Sequence, residues 1–553
     1  MKTHMSFSIW LLFFCLSGVA RIDVSYAGSK TGPIHLLTDR SLYVTGEYIR
    51  FSASITVQGI DKKETENSIL YCELITPGIS KLAGGKFIVK EQKSEGCLRI
   101  PMELSSGVYY LRAYTQGLRT SGPDHYAYVQ IKIVNPLKKE LLRSESSIPD
   151  TIIHDVKGSP DQAIKISCDK EAYSQNEEIS IHVKSNSGTK ENFEDMVLTV
   201  IPDSSLIIGQ VDPISNKLGD LNNINFPDAP GIILSGSIYN QKSLQPLVSR
   251  RVNLSILGEN DFMAANSDSA GRFFFQLPSY VGECDLFLSS FSNPEPAVGL
   301  KIDNDFCILK TTLPAPLFLL SSQEKSLALE MARNVQVETA FHSDPIQTGT
   351  TKHKLTGAFY GKPYSILHID SYIQLPTMEE YFNEIPGAVK IKKKNGTVRF
   401  QFTGEQPEMN IYEPLVLIDY VAIDNESVLK IPPQDIDRIE LVNSPYIKGS
   451  MTYGGIISFF SKKNNFAGID LPKSGIFIHY SLISEDCIQQ TAYRTAHQPD
   501  TRNTLLWNPH VEISEANDIR LPAPQKRGRY AVILRGIKKS GEVVSWKTSF
   551  EVR

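Results

Sequence analysis

Apolar and polar residues alternate along most of this chain, in short runs broken by glycine, proline and serine. Side chains on a strand point to opposite faces in turn, so the alternation predicts β-strands with one buried face. Ile49 and Phe51 share a face in Tyr48-Ile-Arg-Phe51, and Val129, Ile131 and Ile133 do so in Ala127–Val134. Similar runs occur at Ile69–Ile75, Gly107–Thr115, Thr397–Phe402, Gly528–Leu534 and Val544–Phe550. Many short strands between turn residues predict antiparallel sandwiches. Helical spacing is rarer. Ser321 to His342 predicts one long helix, with Ser322 as N-cap and Leu327, Leu329, Met331 and Val335 as apolar positions, expected to buttress the region that follows. A short helix over Thr377–Glu384, led by Pro376, is predicted ahead of strands Val389–Ile391 and Thr397–Phe402.

One pattern recurs. Asp39-Arg-Ser-Leu-Tyr43-Val-Thr-Gly-Glu47-Tyr-Ile49 and Asp169-Lys-Glu-Ala-Tyr173-Ser-Gln-Asn-Glu177-Glu-Ile179 have the same spacing, which predicts two related sandwiches in series. Asn176 stands where the first copy has Gly46, and asparagine is the non-glycine residue that best tolerates left-handed backbone. Tyr43 is expected to lay its ring on the sandwich edge. This opening resembles the signature of the second macroglobulin-like domain of the alpha-2-macroglobulin family, and the resemblance implies that fold.

Further resemblances follow along the chain. Ile233–Ile238, Pro246-Leu247, Val252–Leu254 and Asp268-Ser-Ala-Gly-Arg-Phe-Phe-Phe275 resemble the carboxypeptidase-regulatory-like, transthyretin-type sandwich, a fold that implies no activity. Pro414–Asp419, Pro433–Glu440 and Tyr453–Ile457 resemble the plug domain of TonB-dependent outer-membrane receptors. Tyr420, where plugs usually have glycine, and Lys448–Thr452 depart from that pattern. Strands of a membrane barrel take ~10 residues each plus turns, so the sequence after Lys463 is not expected to supply the barrel such a plug would fill. The fold class is thus expected to be mainly β: tandem antiparallel sandwiches with one small α/β unit. The expected divisions are a signal peptide over 1–27, a macroglobulin-like sandwich over 28–136, a linker over 137–161 and a second sandwich over 162–230. A transthyretin-type sandwich over 231–310, a helix-containing connector over 311–369, a plug-like unit over 370–464 and a C-terminal sandwich over 465–553 complete them.

Composition narrows the function. The chain has 553 residues, 41% of them hydrophobic and 21% charged, and a net charge of −4. Nothing in that balance attracts phosphate backbones. Lys138-Lys139 reads as a solvated linker and Lys392–Lys394 as a turn flank, so nucleic acid is not an expected partner. Lys2 and His4 followed by Ile9–Ala20 fit an export signal with cleavage before Gly28, and no later run is long enough to span a bilayer. Without Cys15, six cysteines remain: Cys72, Cys97, Cys168, Cys284, Cys307 and Cys487. Buried free thiols are the plainer reading, with a Cys72–Cys97 staple as the alternative; no spacing suits zinc.

Catalytic signatures are absent from the sequence, and no catalytic, cofactor-binding or metal-binding residue is assigned. Thr403-Gly-Glu-Gln406 is the string nearest to the Cys-Gly-Glu-Gln thioester of protease-trapping macroglobulins, but threonine cannot form it, and a loop before Pro407 is expected there. His35, His125, His342 and His353 are scattered singly, and Asp435, beside Asp437, is expected to cap a helix or turn. The function expected is therefore a non-enzymatic exported envelope protein, periplasmic or associated with the outer membrane of a Gram-negative bacterium, acting as an interaction or assembly module on a barrel or lipoprotein partner. A macroglobulin-like protease inhibitor without the thioester is the first alternative, and an unrecognised hydrolase the second.

Overall fold

The computed structural model describes residues 31–57, 68–142, 164–185, 193–205, 207, 209–213, 231–291, 297–341, 357–385, 387–394, 397–404, 406–449, 451–484, 499–512 and 517–553. The expected signal peptide, residues 143–161 of the expected linker, His342, His353 and Cys487 lie outside the described residues. The architecture is mainly β, with separate antiparallel sandwiches and one mixed α/β unit.

The first sandwich follows the alternation closely. Thr31–Thr38, Tyr48–Val57 and Lys93–Arg99 form one sheet; Leu42–Val44, Ala127–Val134, Gly107–Thr115, Ile69–Ile75 and Lys81–Ile88 form the other. Ile49 and Phe51 are wholly buried between them, and Phe51 meets Phe87 edge-on at 4.9 Å. Every residue of Ile69–Ile75 and Gly107–Thr115 is buried, on both faces. The outer face is covered by the extended chain from Asn304 to Leu320: Arg112 Nη2 donates to the Cys307 carbonyl (2.8 Å), Tyr110 Oη to the Pro314 carbonyl (2.6 Å) and Lys132 Nζ to the Leu319 carbonyl (3.0 Å). Beneath this strap Arg112 pairs with Glu73 at 2.6 Å, both fully buried.

Beyond residue 162 the expected divisions give way to a nested arrangement. Phe193–Pro202 takes its antiparallel partner from Gly528–Lys538, with Val197 opposite Arg535 and Val200 opposite Val532. Glu178–Ser185 pairs with Asn517–Pro522, and Ala172-Tyr173 pairs in parallel with Val543–Val552. The described strands between 164 and 202 and those between 506 and 552, expected to belong to two sandwiches, therefore build a single one, because four early strands bury their apolar faces only when the later strands complete both sheets. Ile179, Ile181, Leu198, Val200, Val532, Leu534, Val544 and Phe550 share its core. The third sandwich sits inside this split. Arg272–Leu277, Ile232–Asn240 and Val298–Ile302 make one sheet; Asp261–Asn266, Arg251–Leu257, Glu283–Ser289 and the late strand Ile476–Ser481 make the other. Its turn at Asp268 forms as expected, with Asp268 Oδ1 accepting from the amides of Ala270 and Arg272. Inside the third sandwich, in turn, lies the α/β unit.

The long helix runs Ser322–Phe341, but Ser321 caps it instead of Ser322: Ser321 Oγ accepts from the Glu324 amide (3.1 Å), and Glu324 returns a carboxylate to the Ser321 amide (2.7 Å). This reciprocal box satisfies two otherwise unpaired helix donors. The helix does not buttress the α/β unit. Leu327, Ala328, Met331 and Ala332 bury against Leu42 and Val44 of the first sandwich, and Leu329 faces solvent.

The repeated motif folds twice into the same hydrogen-bonded loop. In the first copy Tyr43 Oη donates to Asp39 Oδ1 (2.7 Å), the Arg50 amide donates to the same oxygen (3.2 Å), and the Val44 amide donates to Glu47 Oε2 (2.7 Å). In the second, Tyr173 Oη and the Ser180 amide donate to Asp169 Oδ1 (2.6 and 2.9 Å), and the Ser174 amide donates to Glu177 Oε2 (2.6 Å). Gly46 and Asn176 occupy the expected left-handed position, with φ of 88° and 63°. Tyr43 is fully buried instead of lying at an edge.

The cysteine expectations resolve in part. Cys72, Cys168, Cys284 and Cys307 are free, Cys72 and Cys307 buried. Cys97 is disulfide-bonded, so the Cys72–Cys97 staple does not form. Strand parity explains it: Gly96 and Leu98 point into the sandwich, which turns Cys97 outward, away from the fully buried Cys72.

Candidate interaction site

The α/β unit is a five-stranded sheet in the order Ser365–His368, Ile436–Val442, Ile456–Ser461, Leu415–Ile418, Val421-Ala422, in which Leu415–Ile418 and Ile456–Ser461 run parallel. The Pro414 and Tyr453 runs of the sequence thus become neighbouring central strands. Because side chains alternate, the sheet has two buried faces. Val416, Ile418, Ile439, Leu441, Ile457 and Phe459 pack under Met378, Tyr381 and Phe382 of helix Met378–Glu384, which Thr377 caps through the Glu380 amide (3.3 Å). Leu415, Leu417, Val442 and Ile456 face the third sandwich, where they meet Phe262.

Residues that depart from the plug pattern make this second contact. Asp419 and Tyr420 form the two-residue turn between Leu415–Ile418 and Val421-Ala422, both at positive φ (46° and 64°). Left-handed backbone is costly for tyrosine, and its surroundings compensate. Ser255 Oγ of the third sandwich donates to the Tyr420 carbonyl (3.0 Å), and the Tyr420 ring packs on Phe460 (5.3 Å) and Phe359 (6.3 Å). Burial, with Glu440 nearby, pushes the Tyr420 phenol up to about 12. Asp419 fixes the turn from inside by accepting from the Ser461 amide (2.9 Å), Ser461 Oγ (2.6 Å) and the Phe466 amide (2.9 Å). Lys448 pairs with the buried Asp261 of the third sandwich at 3.1 Å and lies 5.3 Å from the Phe359 ring centroid. One face of the unit is therefore committed within the chain.

What remains open is an edge. Val421-Ala422, at one end of the sheet, lies against the third sandwich, whereas Ser365–His368 at the other pairs only with Ile436–Val442 among the described residues. Around it large apolar side chains face solvent: Tyr364 is 71% exposed, Ile373 87%, and Ile366 and Tyr372 less so. The edge strand itself contains no lysine or proline, the residues that usually deter strand addition. A shallow apolar crevice lined by Leu367, Ile369, Tyr381 and Ile439 opens beside it. On the next strand Arg438 pairs with Glu440 (2.8 Å) and Asp437 (3.2 Å), and these bonds hold its pKa up against partial desolvation.

The remaining sequence candidates stay dispersed. Asp435 ends the 3-10 turn Pro433–Asp435, which has no side-chain cap bond; the separate helix Asn425–Leu429 before it is capped by Asp424, which accepts from the Glu426 and Ser427 amides. Asp437 is engaged by Arg438. Thr403 lies in an exposed loop, its hydroxyl donating to the Gly387 carbonyl (3.0 Å). His35 is buried on the first strand, where desolvation lowers its pKa against the opposing pull of Glu194. Among the described residues no group of three or more His, Cys, Asp or Glu could hold a metal, and no helix is long and apolar enough to cross a membrane. The edge at Ser365–His368 drew no comment from the sequence; its only signal was the short apolar run after Pro363.

No protein-family model matches the chain, and no curated protein matches it. Among solved structures it aligns with alpha-2-macroglobulin from Salmonella at 8% identity and a TM-score of 0.22, over 95% of this chain and 40% of that one. Trypsin-activated alpha-2-macroglobulin from Escherichia coli aligns at 9% identity and 0.22, over 95% and 42%. Latent PorU from Porphyromonas gingivalis aligns at 11% identity and 0.14, over 49% and 33%. The chain spans about 40% of the length of these macroglobulins.

Proposed function

We propose that this is a non-enzymatic exported envelope protein whose nested sandwiches hold the α/β unit as a docking module for an outer-membrane partner, a barrel or a lipoprotein. The observation that carries the reading is the open edge strand Ser365–His368 with its exposed apolar border. An unpaired edge offers main-chain donors and acceptors to an incoming extended segment, and an adjacent apolar crevice supplies side-chain selectivity. The envelope setting rests on the export-signal pattern of the sequence and its resemblance to macroglobulin-like, regulatory-like and plug-like modules. The test is in-cell crosslinking and affinity purification of the tagged protein, wild type against Ile366→Lys, with mass spectrometry of stoichiometric partners. An outer-membrane barrel or lipoprotein recovered with the wild type and lost with Ile366→Lys is the expected result. Recovery of the protein alone, or a partner indifferent to the substitution, overturns the proposal.

A further inference from the structure

The covalent bond made by Cys97 has a second end that the chain itself can place. Cys97 is disulfide-bonded, while Cys72, Cys168, Cys284 and Cys307 are free thiols. The chain has seven cysteines, so the other sulfur belongs to Cys15, to Cys487 or to another molecule. Cys15 falls in the export-signal pattern Ile9–Ala20 and leaves with it when cleavage comes before Gly28. Reach separates the remaining two. Cys97 lies opposite Arg50 on Lys93–Arg99, the edge strand of its sheet. Its neighbour Gly96 abuts Phe87, whose ring a Cβ added at Gly96 would meet at 2.2 Å. One residue before Phe87, Lys86 grips the stretch that leads to Cys487. The Lys86 amide donates to Ser484 Oγ (3.1 Å), the Ser484 amide donates to the Lys86 carbonyl (2.8 Å), and Lys86 Nζ donates to the Ser481 carbonyl (2.6 Å). Ser484 is thus pinned to the strand that touches the strand of Cys97.

Three residues from Ser484 to Cys487 reach roughly 10 Å when extended, and a disulfide spans a further ~5.5 Å between Cα atoms. A second molecule would instead have to bring a cysteine to an edge already crowded by the second sandwich, where Lys93 meets Asp195 and Glu95 meets His510. We infer that Cys97 is bonded to Cys487, a staple between the first sandwich and the stretch of chain that leads from the third sandwich back to the second. Its formation removes two electrons and two protons from the pair of thiols. One cysteine thiolate attacks the disulfide of a thiol–disulfide exchange oxidant and frees one of its sulfurs as a thiol; the other thiolate displaces the second sulfur, and the oxidant departs as a dithiol. Oxidants of this class act in export compartments and not in the cytosol. The inference therefore takes export from the proposed function and owes nothing to docking.

The test is peptide mapping of the full-length protein from the envelope fraction, with free thiols alkylated by iodoacetamide before tryptic digestion without reduction. Trypsin releases Ser94–Arg99 and Ser474–Arg494, each carrying a single cysteine. A linked pair of these two peptides is expected in the mass spectrum, with little alkylated Cys97, and dithiothreitol should convert the pair quantitatively to its two halves. In Cys487→Ser the Ser94–Arg99 peptide is expected to be recovered alkylated, as a free thiol. The wild-type map decides the matter should that variant fail to fold. Alkylation of both cysteines in the wild type, a bond from Cys97 to any other cysteine, or a disulfide-linked dimer on a non-reducing gel overturns the inference. Fractionation reports export separately, so free thiols in envelope protein overturn the pairing alone, whereas protein confined to the cytosolic fraction overturns the exported setting and the inference with it.

Discussion

The two copies of the Asp-(Arg/Lys)-x-x-Tyr-x-x-(Gly/Asn)-Glu loop have the same internal hydrogen bonds in opposite surroundings. In the first, Asp39, Arg40, Tyr43 and Glu47 are all buried; Thr504 Oγ donates to Asp39 (2.6 Å), Arg40 Nε donates to Thr504 (3.1 Å), and Arg535 of the second sandwich donates to the Thr38 carbonyl (2.5 Å). In the second, Lys170 and Glu177 pair at 2.5 Å in solvent. The loop geometry is thus written locally, while its environment is set by the residues between the motif positions. Leu42 and Val44 flank Tyr43 and receive the long helix; Ala172 and Ser174 flank Tyr173 and receive nothing comparable among the described residues. Arginine suits the buried copy because its fork reaches several acceptors while staying charged, and lysine suits the exposed one.

The comparison can be broken most sharply at the charge. Arg40→Ala strands the Asp39 and Glu47 carboxylates in the interior and is expected to cost about 3–5 kcal/mol, whereas Lys170→Ala leaves the urea midpoint unchanged; equilibrium unfolding of the full chain measures both. Leu42→Ala opens a cavity under the helix and is expected to cost about 2–5 kcal/mol. Its counterpart Ala172→Leu adds apolar surface to solvent and leaves stability near wild type. Tyr43→Phe withdraws a donor from a buried carboxylate, at about 1–3 kcal/mol, and Tyr173→Phe costs less, about 1 kcal/mol or below, because water replaces the bond. At the turn, Gly46→Ala places a Cβ 2.5 Å from Met102 Sδ as well as at positive φ, so it destabilises more than Asn176→Ala, where left-handed strain of about 1–2 kcal/mol acts alone.

The smallest expected effect tests the seam between the two sandwiches with pH. His510 of the second sandwich lies 3.9 Å from Asp195 of the same sandwich, which itself pairs across the seam with Lys93, and 3.5 Å from Glu95 of the first. Interaction with Asp195 raises the imidazole pKa above 6.5 against partial desolvation. A raised folded-state pKa gives a stabilisation complete below the unfolded value near 6.5 and lost as pH rises through the folded one. Between pH 6 and 8 the wild type should therefore lose a small increment of thermal stability that His510→Ala lacks, as differential scanning calorimetry would show.

Much of this was legible in the sequence, and for physical reasons. Alternation gave the strands, and the Asp39 and Asp169 loops were readable because their bonds close within about a dozen residues. Non-local pairing left no such trace: nothing in Phe193–Pro202 announces Gly528–Lys538, and nothing in Leu327 or Met331 announces Leu42. At the α/β unit, Tyr420 and Lys448 stood out as departures, but their partners Ser255 and Asp261 lie on a separate sandwich and carry no local signal. Ser321 displaced Ser322 as cap because both serines stood within reach of the same helix start, and Asp435 caps nothing because it ends the 3-10 turn that begins at Pro433.

The split second sandwich has a bearing on manufacture. Thr199 and Arg535, neighbours in the finished sheet, are 336 positions apart, so early strands wait through the synthesis of everything between them. A chain cut short anywhere in that interval displays Phe193–Pro202 as a naked apolar ribbon, open to a protease or a holding chaperone. Closure of that sheet then serves as a receipt that the intervening modules were delivered.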